Sequence, residues 1–122
     1  MTIASLAFFG RILVGLLFIL IGTRLLLIRH DVAQLLASKG IPRPLTVTLL
    51  GASSEIVLGV LAVLGIGLPV VFLVMAVFVI AATLMVHDFW RQEGLMRVID
   101  TNAVLANSLV VGGLLGLAGY PW

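Results

Sequence analysis

The chain has 122 residues, of which 62% are hydrophobic and only 10% are charged, with a formal net charge of +2. Soluble domains carry about 25% charged residues, so this composition excludes a water-soluble globular protein. The sequence contains no cysteine, which excludes disulfides, thiolate metal centres, iron–sulfur ligation and thiol nucleophiles. Because it also has no ligand set for haem or a metal, we expect no catalysis by the chain itself.

Four apolar segments take up most of the sequence. They cover residues 6–28, 45–66, 68–86 and 101–118. Each is close to the roughly 20 residues that cross a hydrocarbon layer ~30 Å thick. The connectors are too short to hold a second core. We therefore predict a single all-α membrane domain over residues 1–122, an antiparallel bundle of four transmembrane helices.

The two longer connectors are predicted to lie at the membrane interface. Residues 29–39 place apolar side chains at helical spacing among polar ones, which predicts a short interfacial helix between the first two spans. The third connector, residues 87–101, begins with four residues that we assign to the interface and to a solvated helix end. These are His87, Asp88, Phe89 and Trp90.

Basic residues are concentrated in the same two connectors. They are Arg29, Lys39, Arg43, Arg91 and Arg97. By the positive-inside rule, residues 29–44 and 87–101 are cytoplasmic and both termini lie outside. This bias accounts for the basic character of the chain, so we predict no nucleic-acid partner.

Glu55 is the most informative polar residue because it falls near the middle of the second span. A charged group at that depth persists only with a partner or a cavity. Gly51 and Gly59 lie one turn to either side, so another helix or a ligand can approach closely. Three interpretations remain open: a structural ion pair, a carboxylate that binds a proton or a polar headgroup, and a protonated, hydrogen-bonded carboxyl.

One face of the first span is expected to point into the bundle. Four residues fall within a strip of about 60° at 3.6 residues per turn. They are Arg11, Gly15, Phe18 and Gly22. Arg24 lies elsewhere on the helix, near its cytoplasmic end, and can snorkel to phosphates. The sequence leaves open whether Arg11 or Arg24 pairs with Glu55.

The fourth span carries a small-residue pattern and two polar side chains. Asn107 and Ser108 are the polar residues deep in the span, and Gly112 and Gly116 follow Ser108 at intervals of one turn. This pattern favours close helix crossing, either within the protomer or with another chain.

The order of these features resembles the DoxX family of small four-helix membrane proteins along nearly the whole chain. The features that match are Gly10-Arg11, Gly22-Thr-Arg24, Lys39-Gly-Ile-Pro42, Gly51-Ala-Ser-Ser-Glu55, Gly59, Gly65, His87-Asp-Phe-Trp90, Asn107 and Gly112-Gly113. Arg24 stands where the family usually has a lysine, so the resemblance does not extend to a titratable amine at this position.

The resemblance implies a protein of the bacterial cytoplasmic membrane but no single activity, because the family is functionally mixed. Some relatives look like subunits of quinone-linked sulfur oxidation or oxidant-defence assemblies, and others like chaperones. Our leading expectation is an accessory subunit, surrounded by lipid and packed against other membrane subunits of a redox or energy-converting complex. The alternatives are a quinone-interacting oxidoreductase subunit, with Arg11 and Glu55 at the headgroup, and a small proton-coupled transporter. No cofactor is expected to be covalently bound, and a quinone or a lipid is the ligand class considered.

Overall fold

The computed structural model describes all 122 residues and is entirely helical. The helices are α1 (Ile3–Leu27), α2 (Arg29–Ser38), α3 (Pro44–Leu64), α4 (Val70–Val86) and α5 (Gly94–Ala118), with a 3-10 turn at Phe89–Arg91. Four of them, α1, α3, α4 and α5, are long and apolar enough to cross a membrane. The predicted all-α architecture with four spanning helices is therefore confirmed.

The first connector contains the short helix that the sequence predicts. This helix, α2, buries Ala33 and Leu36 and packs against α3. Gly40 follows it with a φ of 79°, a left-handed conformation that glycine adopts without steric cost. Pro44 is the first residue of α3, where its fixed φ suits a helix start and its missing N–H leaves no bond unmade.

The start of the last helix differs from the prediction. The sequence assigns residues 94–100 to a polar connector, whereas α5 begins at Gly94. Asp100 is only 6% exposed, and its Oδ1 lies 3.0 Å from His87 Nδ1. Arg97 and Asp100 interrupt the apolar run in this first part of α5, so hydropathy places the start of the span after them. The other predicted span ends agree with the structure to within three residues.

Glycines bring α1 and α3 into backbone contact. A Cβ placed on Gly59 would lie 2.6 Å from the carbonyl oxygen of Gly15, and one on Gly15 would lie 2.8 Å from that of Gly59. Further along the same crossing, a Cβ on Gly22 would meet the Ala52 carbonyl oxygen at 2.7 Å. Helices in lipid associate largely through such close packing, so this crossing forms the tightest part of the fold.

The second helix pair is α4 and α5, and a buried apolar cluster joins it to the first pair. The largest fully buried side chains are Phe72, Met75 and Leu114. They pack with Phe18 of α1 and Leu58 of α3. By contrast, α1 and α5 touch only slightly, so the bundle is left partly open on that side.

Candidate functional site

Glu55 is buried in the middle of α3 without a partner. The residue is only 8% exposed, and its Oε2 atom is buried with no hydrogen-bond partner. The ion pair of the chain joins Lys39 to Asp88, and His87 lies within hydrogen-bond distance of Asp100, so neither contact involves Glu55. Glu55 therefore does not form the structural ion pair that was one interpretation of the sequence.

Arg11 lies beside the C-terminal end of α3. Its Nη1 atom is 3.0 Å from the position that a Cβ would take on Gly65, ten residues and about 15 Å along the helix from Glu55. Its guanidinium carbon lies 5.0 Å from the ring centroid of Phe8 and 5.2 Å from that of Trp122. A cation beside the last turn of α3 also complements the helix dipole. Arg11 therefore packs against the C-terminal end of α3 and two aromatic rings, away from Glu55.

Arg24 does not reach Glu55 either. The contact between α1 and Glu55 occurs at Gly22, where a Cβ would lie 3.1 Å from Glu55 Cβ. Arg24 follows two residues later, about 200° around the helix, and is exposed. Neither arginine supplies a countercharge, because Arg11 is displaced along α3 to Gly65 and Arg24 lies on the opposite side of α1.

A partly open cavity of about 190 Å³ lies beside Glu55. Its walls come from α1, α2, α3 and α4 and are mostly hydrophobic. Among them are Leu36 of α2, Phe78 and Met85 of α4 and Gly51 of α3. Gly51 leaves room there, since a Cβ at this position would have its nearest neighbour, a Phe78 ring atom, at 3.9 Å.

Thr48 is the second polar residue that lines this cavity. Its hydroxyl donates to the carbonyl oxygen of Pro44 at 2.8 Å, so its proton is engaged and its oxygen lone pairs remain available. A carboxylate accepts hydrogen bonds but does not donate them. With Glu55 ionised, the polar side chains of the cavity are therefore acceptors.

Asn107 belongs to a different polar contact. Its Nδ2 donates to Thr83 Oγ1 at 2.9 Å and so links α5 to α4. Ser108 instead donates to the carbonyl oxygen of Val104 in its own helix. Asn107 thus stabilises the second helix pair and lies outside the Glu55 cavity.

A second polar cluster lies where α2 meets the connector after α4. Lys39 Nζ is 2.5 Å from Asp88 Oδ1, and Gln92 Nε2 donates to the same oxygen at 3.1 Å. These two hydrogen bonds lower the pKa of Asp88 below its usual value, and the bond from Lys39 has the larger effect. The expectation of a solvated helix end is wrong for Asp88, which is 6% exposed. Phe89 and Trp90 lie beyond the end of α4 and form an edge-to-face pair.

The small residues of α5 are not packed within the chain. A Cβ on Gly112, Gly113 or Gly116 would find no atom within 4 Å. The expected close crossing inside the protomer is therefore not formed by these glycines. Contact with another chain, the alternative left open by the sequence, stays a prediction.

An apolar cleft of about 430 Å³ separates α1 from α5. Hydrophobic residues and glycines line it, with Gly10, Leu17 and Ile21 on α1 and Val110 and Gly113 on α5. We call this space the α1–α5 cleft. Since no charged side chain lines it, its surface suits an apolar occupant.

Sequence reasoning missed several of these contacts. Thr83 and Trp122 were not singled out, and Lys39 was considered only for membrane orientation and family resemblance. Trp122 also donates from its indole nitrogen to the Leu117 carbonyl oxygen at 2.8 Å. The contacts of Thr83 with Asn107, Lys39 with Asp88 and Trp122 with Arg11 join residues from different parts of the fold, so hydropathy and helical spacing give no signal for them.

These features define a small integral membrane protein with four spanning helices and one unpaired carboxyl group buried among them. The DoxX family model matches residues 6–88, more than half of the chain, and the protein therefore belongs to the DoxX family. No curated protein and no solved structure gives a significant match.

Proposed function

We propose that this DoxX protein is a non-catalytic accessory subunit that packs against a larger membrane complex. The observation that carries the proposal is the α1–α5 cleft, which leaves two spanning helices of the same bundle largely unpacked against each other. The hydrophobic effect does not drive the association of helices within lipid, whereas close van der Waals packing does. The cleft offers that packing to a further transmembrane helix.

A second face of α5, on the side of the helix away from the cleft, also leaves room for another chain. Gly112 and Gly116 have open space on their Cβ side, and Ser108 is exposed one turn before Gly112. Small residues at one-turn intervals allow another helix backbone to approach closely. The occupant we propose is an apolar transmembrane helix from a different subunit. By resemblance to the family, its complex belongs to the redox or energy-converting class.

Native purification tests this proposal. In mild detergent, the wild-type protein should co-purify with membrane subunits at a fixed stoichiometry. A photo-crosslinker at Ile21, which lines the cleft, should capture one of those subunits. The same probe at the exposed Val77 of α4 should capture mainly lipid. A protein that runs alone from native membranes would overturn the proposal.

A substitution separates docking from folding. Gly113→Leu places a side chain in open space that lines the cleft, so we expect a folded protein that no longer co-purifies. Val77→Leu on the outer face of α4 is the matched control and should retain the partner. A homodimer that couples substrate flux to protons would instead favour the transporter alternative.

The structure does not contain the pair of residues on which the quinone alternative is based. It placed Arg11 and Glu55 together at a quinone headgroup, but Arg11 contacts Gly65, Phe8 and Trp122 instead. A quinone carbonyl needs a hydrogen-bond donor, which this cavity offers only with Glu55 protonated, since ionised Glu55 and Thr48 provide acceptors. We therefore rank this alternative below the accessory role.

The proposed orientation in the bacterial inner membrane follows from the positive charges. Lys39, which follows α2, and Arg91 of the 3-10 turn lie at the same end of the bundle, because Lys39 pairs with Asp88 directly before that turn. This end is proposed to be cytoplasmic. Reporter fusions to the termini should be active only outside the cytoplasm, and active cytoplasmic fusions would reverse the orientation.

A further inference from the structure

We propose that the cavity beside Glu55 is a binding site for a small membrane-soluble amine, in which an apolar body fills the cavity and an ammonium group pairs with the Glu55 carboxylate. The site is separate from the α1–α5 cleft, since the two share no lining residue. The inference therefore does not depend on the accessory role proposed above.

The first argument is the unsatisfied carboxyl group itself. Glu55 is more than nine-tenths buried, it lines the cavity, and its Oε2 has no hydrogen-bond partner. In the ionised form it lacks a countercharge, and in the protonated form its O–H lacks an acceptor. A buried polar group without a partner is costly, so a ligand that supplies the partner is strongly favoured over an empty site.

The second argument is the polarity of the site. The Thr48 hydroxyl donates its hydrogen bond to the Pro44 carbonyl oxygen. When Glu55 is ionised, both polar side chains of the cavity, Thr48 and Glu55, therefore offer only acceptor lone pairs. A primary ammonium group brings three donors and a positive charge. This chemistry matches the site, whereas a molecule that only accepts hydrogen bonds does not.

A metal ion does not meet the requirements of the site. The chain contains no group of three or more His, Cys, Asp or Glu residues placed to hold one. Hard divalent cations such as Ca²⁺ need about six to eight oxygen ligands. One carboxylate and one hydroxyl fall well short of that number.

The size and depth of the cavity define the rest of the ligand. An apolar cavity of about 150 Å³ holds a benzene molecule, so the roughly 190 Å³ here suits a single ring with a short aminomethyl arm. Glu55 lies 11 residues from the start of α3, about 16 Å along the helix. That depth is below the headgroup region, so the ligand is a free amine rather than a lipid headgroup.

Benzylamine is a suitable probe for the intact protein in phosphatidylcholine nanodiscs, whose lipids contain no primary amine. Calorimetric titration should show saturable binding above the partitioning into empty nanodiscs. Glu55→Gln should weaken it at least tenfold, while Glu93→Gln, at an exposed carboxylate, should leave it unchanged. Equal binding by wild-type protein and Glu55→Gln would overturn the proposal.

Two further arms keep the result decisive if Glu55→Gln fails to fold. Ala82→Leu fills the cavity from α4 without changing the charge and should abolish saturable binding, whereas Ala106→Leu on exposed α5 should not. Benzylamine should also bind more tightly than toluene or p-benzoquinone. Tighter binding of the quinone, or competition by added phosphatidylethanolamine, would assign the site to a different ligand.

Discussion

Lys39 Nζ lies 2.5 Å from Asp88 Oδ1, so one ion pair joins the end of α2 to the connector that follows α4. Residues 39 and 88 are far apart in the chain but meet beside the cavity wall that α2 provides. The pair therefore holds the wall of the Glu55 cavity in place while tying the first half of the protein to the second.

Lys39→Met should lower the thermal unfolding midpoint by several degrees, because it leaves the Asp88 carboxylate without its main partner. Thermal unfolding in detergent micelles measures this effect. Arg97→Met, at an exposed position of α5, is the matched control and should be nearly neutral. Equal midpoints for both variants would show that the ion pair does not stabilise the fold.

Acid should weaken the same contact. The hydrogen bond from Lys39, followed by that from Gln92, holds the pKa of Asp88 below its usual value of 3.8. A carboxyl whose pKa is lowered on folding stabilises the protein above the unfolded value, and this stabilisation is lost as the pH falls through the lowered value. The thermal midpoint should therefore decline below pH 3.8, and less steeply in Asp88→Asn.

Gly59→Ala should be strongly destabilising, because its Cβ would lie 2.6 Å from the Gly15 carbonyl oxygen and force the backbones of α1 and α3 apart. Gly116→Ala tests the reverse case, since its Cβ would meet open space. In the isolated protein it should unfold at the wild-type temperature. Similar losses in both variants would mean that glycine matters here for reasons other than helix contact.

Arg11 and Trp122 should show measurable energetic coupling. Their cation–π contact at 5.2 Å belongs to a class worth about 0.5–2 kcal/mol, depending on solvent exposure. A double-mutant cycle with Arg11→Met and Trp122→Leu, followed by chemical unfolding, measures the coupling directly. Strictly additive effects would argue against the contact. Arg11→Lys should retain only part of it because an ammonium cannot stack as a guanidinium does.

The hydrogen bond between Asn107 and Thr83 should contribute modestly to stability. Interhelical hydrogen bonds in membranes average about 0.6 kcal/mol with a maximum near 1.7 kcal/mol. Thr83→Val removes the acceptor for Asn107 Nδ2 while preserving side-chain shape. Reversible unfolding should show a loss within that range, and Ser108→Ala, whose hydroxyl bonds only within α5, should lose less.

Hydropathy located the spanning helices because each run of apolar residues is long enough to cross the bilayer without help from the rest of the fold. The same criterion placed the start of α5 at residue 101 instead of Gly94. The missing residues include Arg97 and Asp100, which interrupt the apolar run, and Asp100 is accommodated in the fold by its contact with His87. Such contacts join distant parts of the chain and leave no periodic pattern.

The position of Glu55 in a spanning segment was also readable from the sequence, but its surroundings were not. Helical spacing places the strip containing Gly15 and Gly22 on one side of α1, and these glycines are indeed buried. Spacing alone does not set how far α1 slides along α3. That register puts Arg11 beside Gly65 rather than Glu55, and it decides that the carboxyl group has no basic partner.

The amino-acid sequence by itself determined that this protein lives in a membrane, that four helices cross it, and that an acidic group is placed at mid-depth. The length of an apolar segment and the charges within it are local properties, so they can be read from the sequence without knowledge of the fold. Only the tertiary structure decided which charges pair, which glycines are packed and where a cavity remains. Those outcomes depend on the registers and crossings of helices, which arise from packing between segments far apart in the chain.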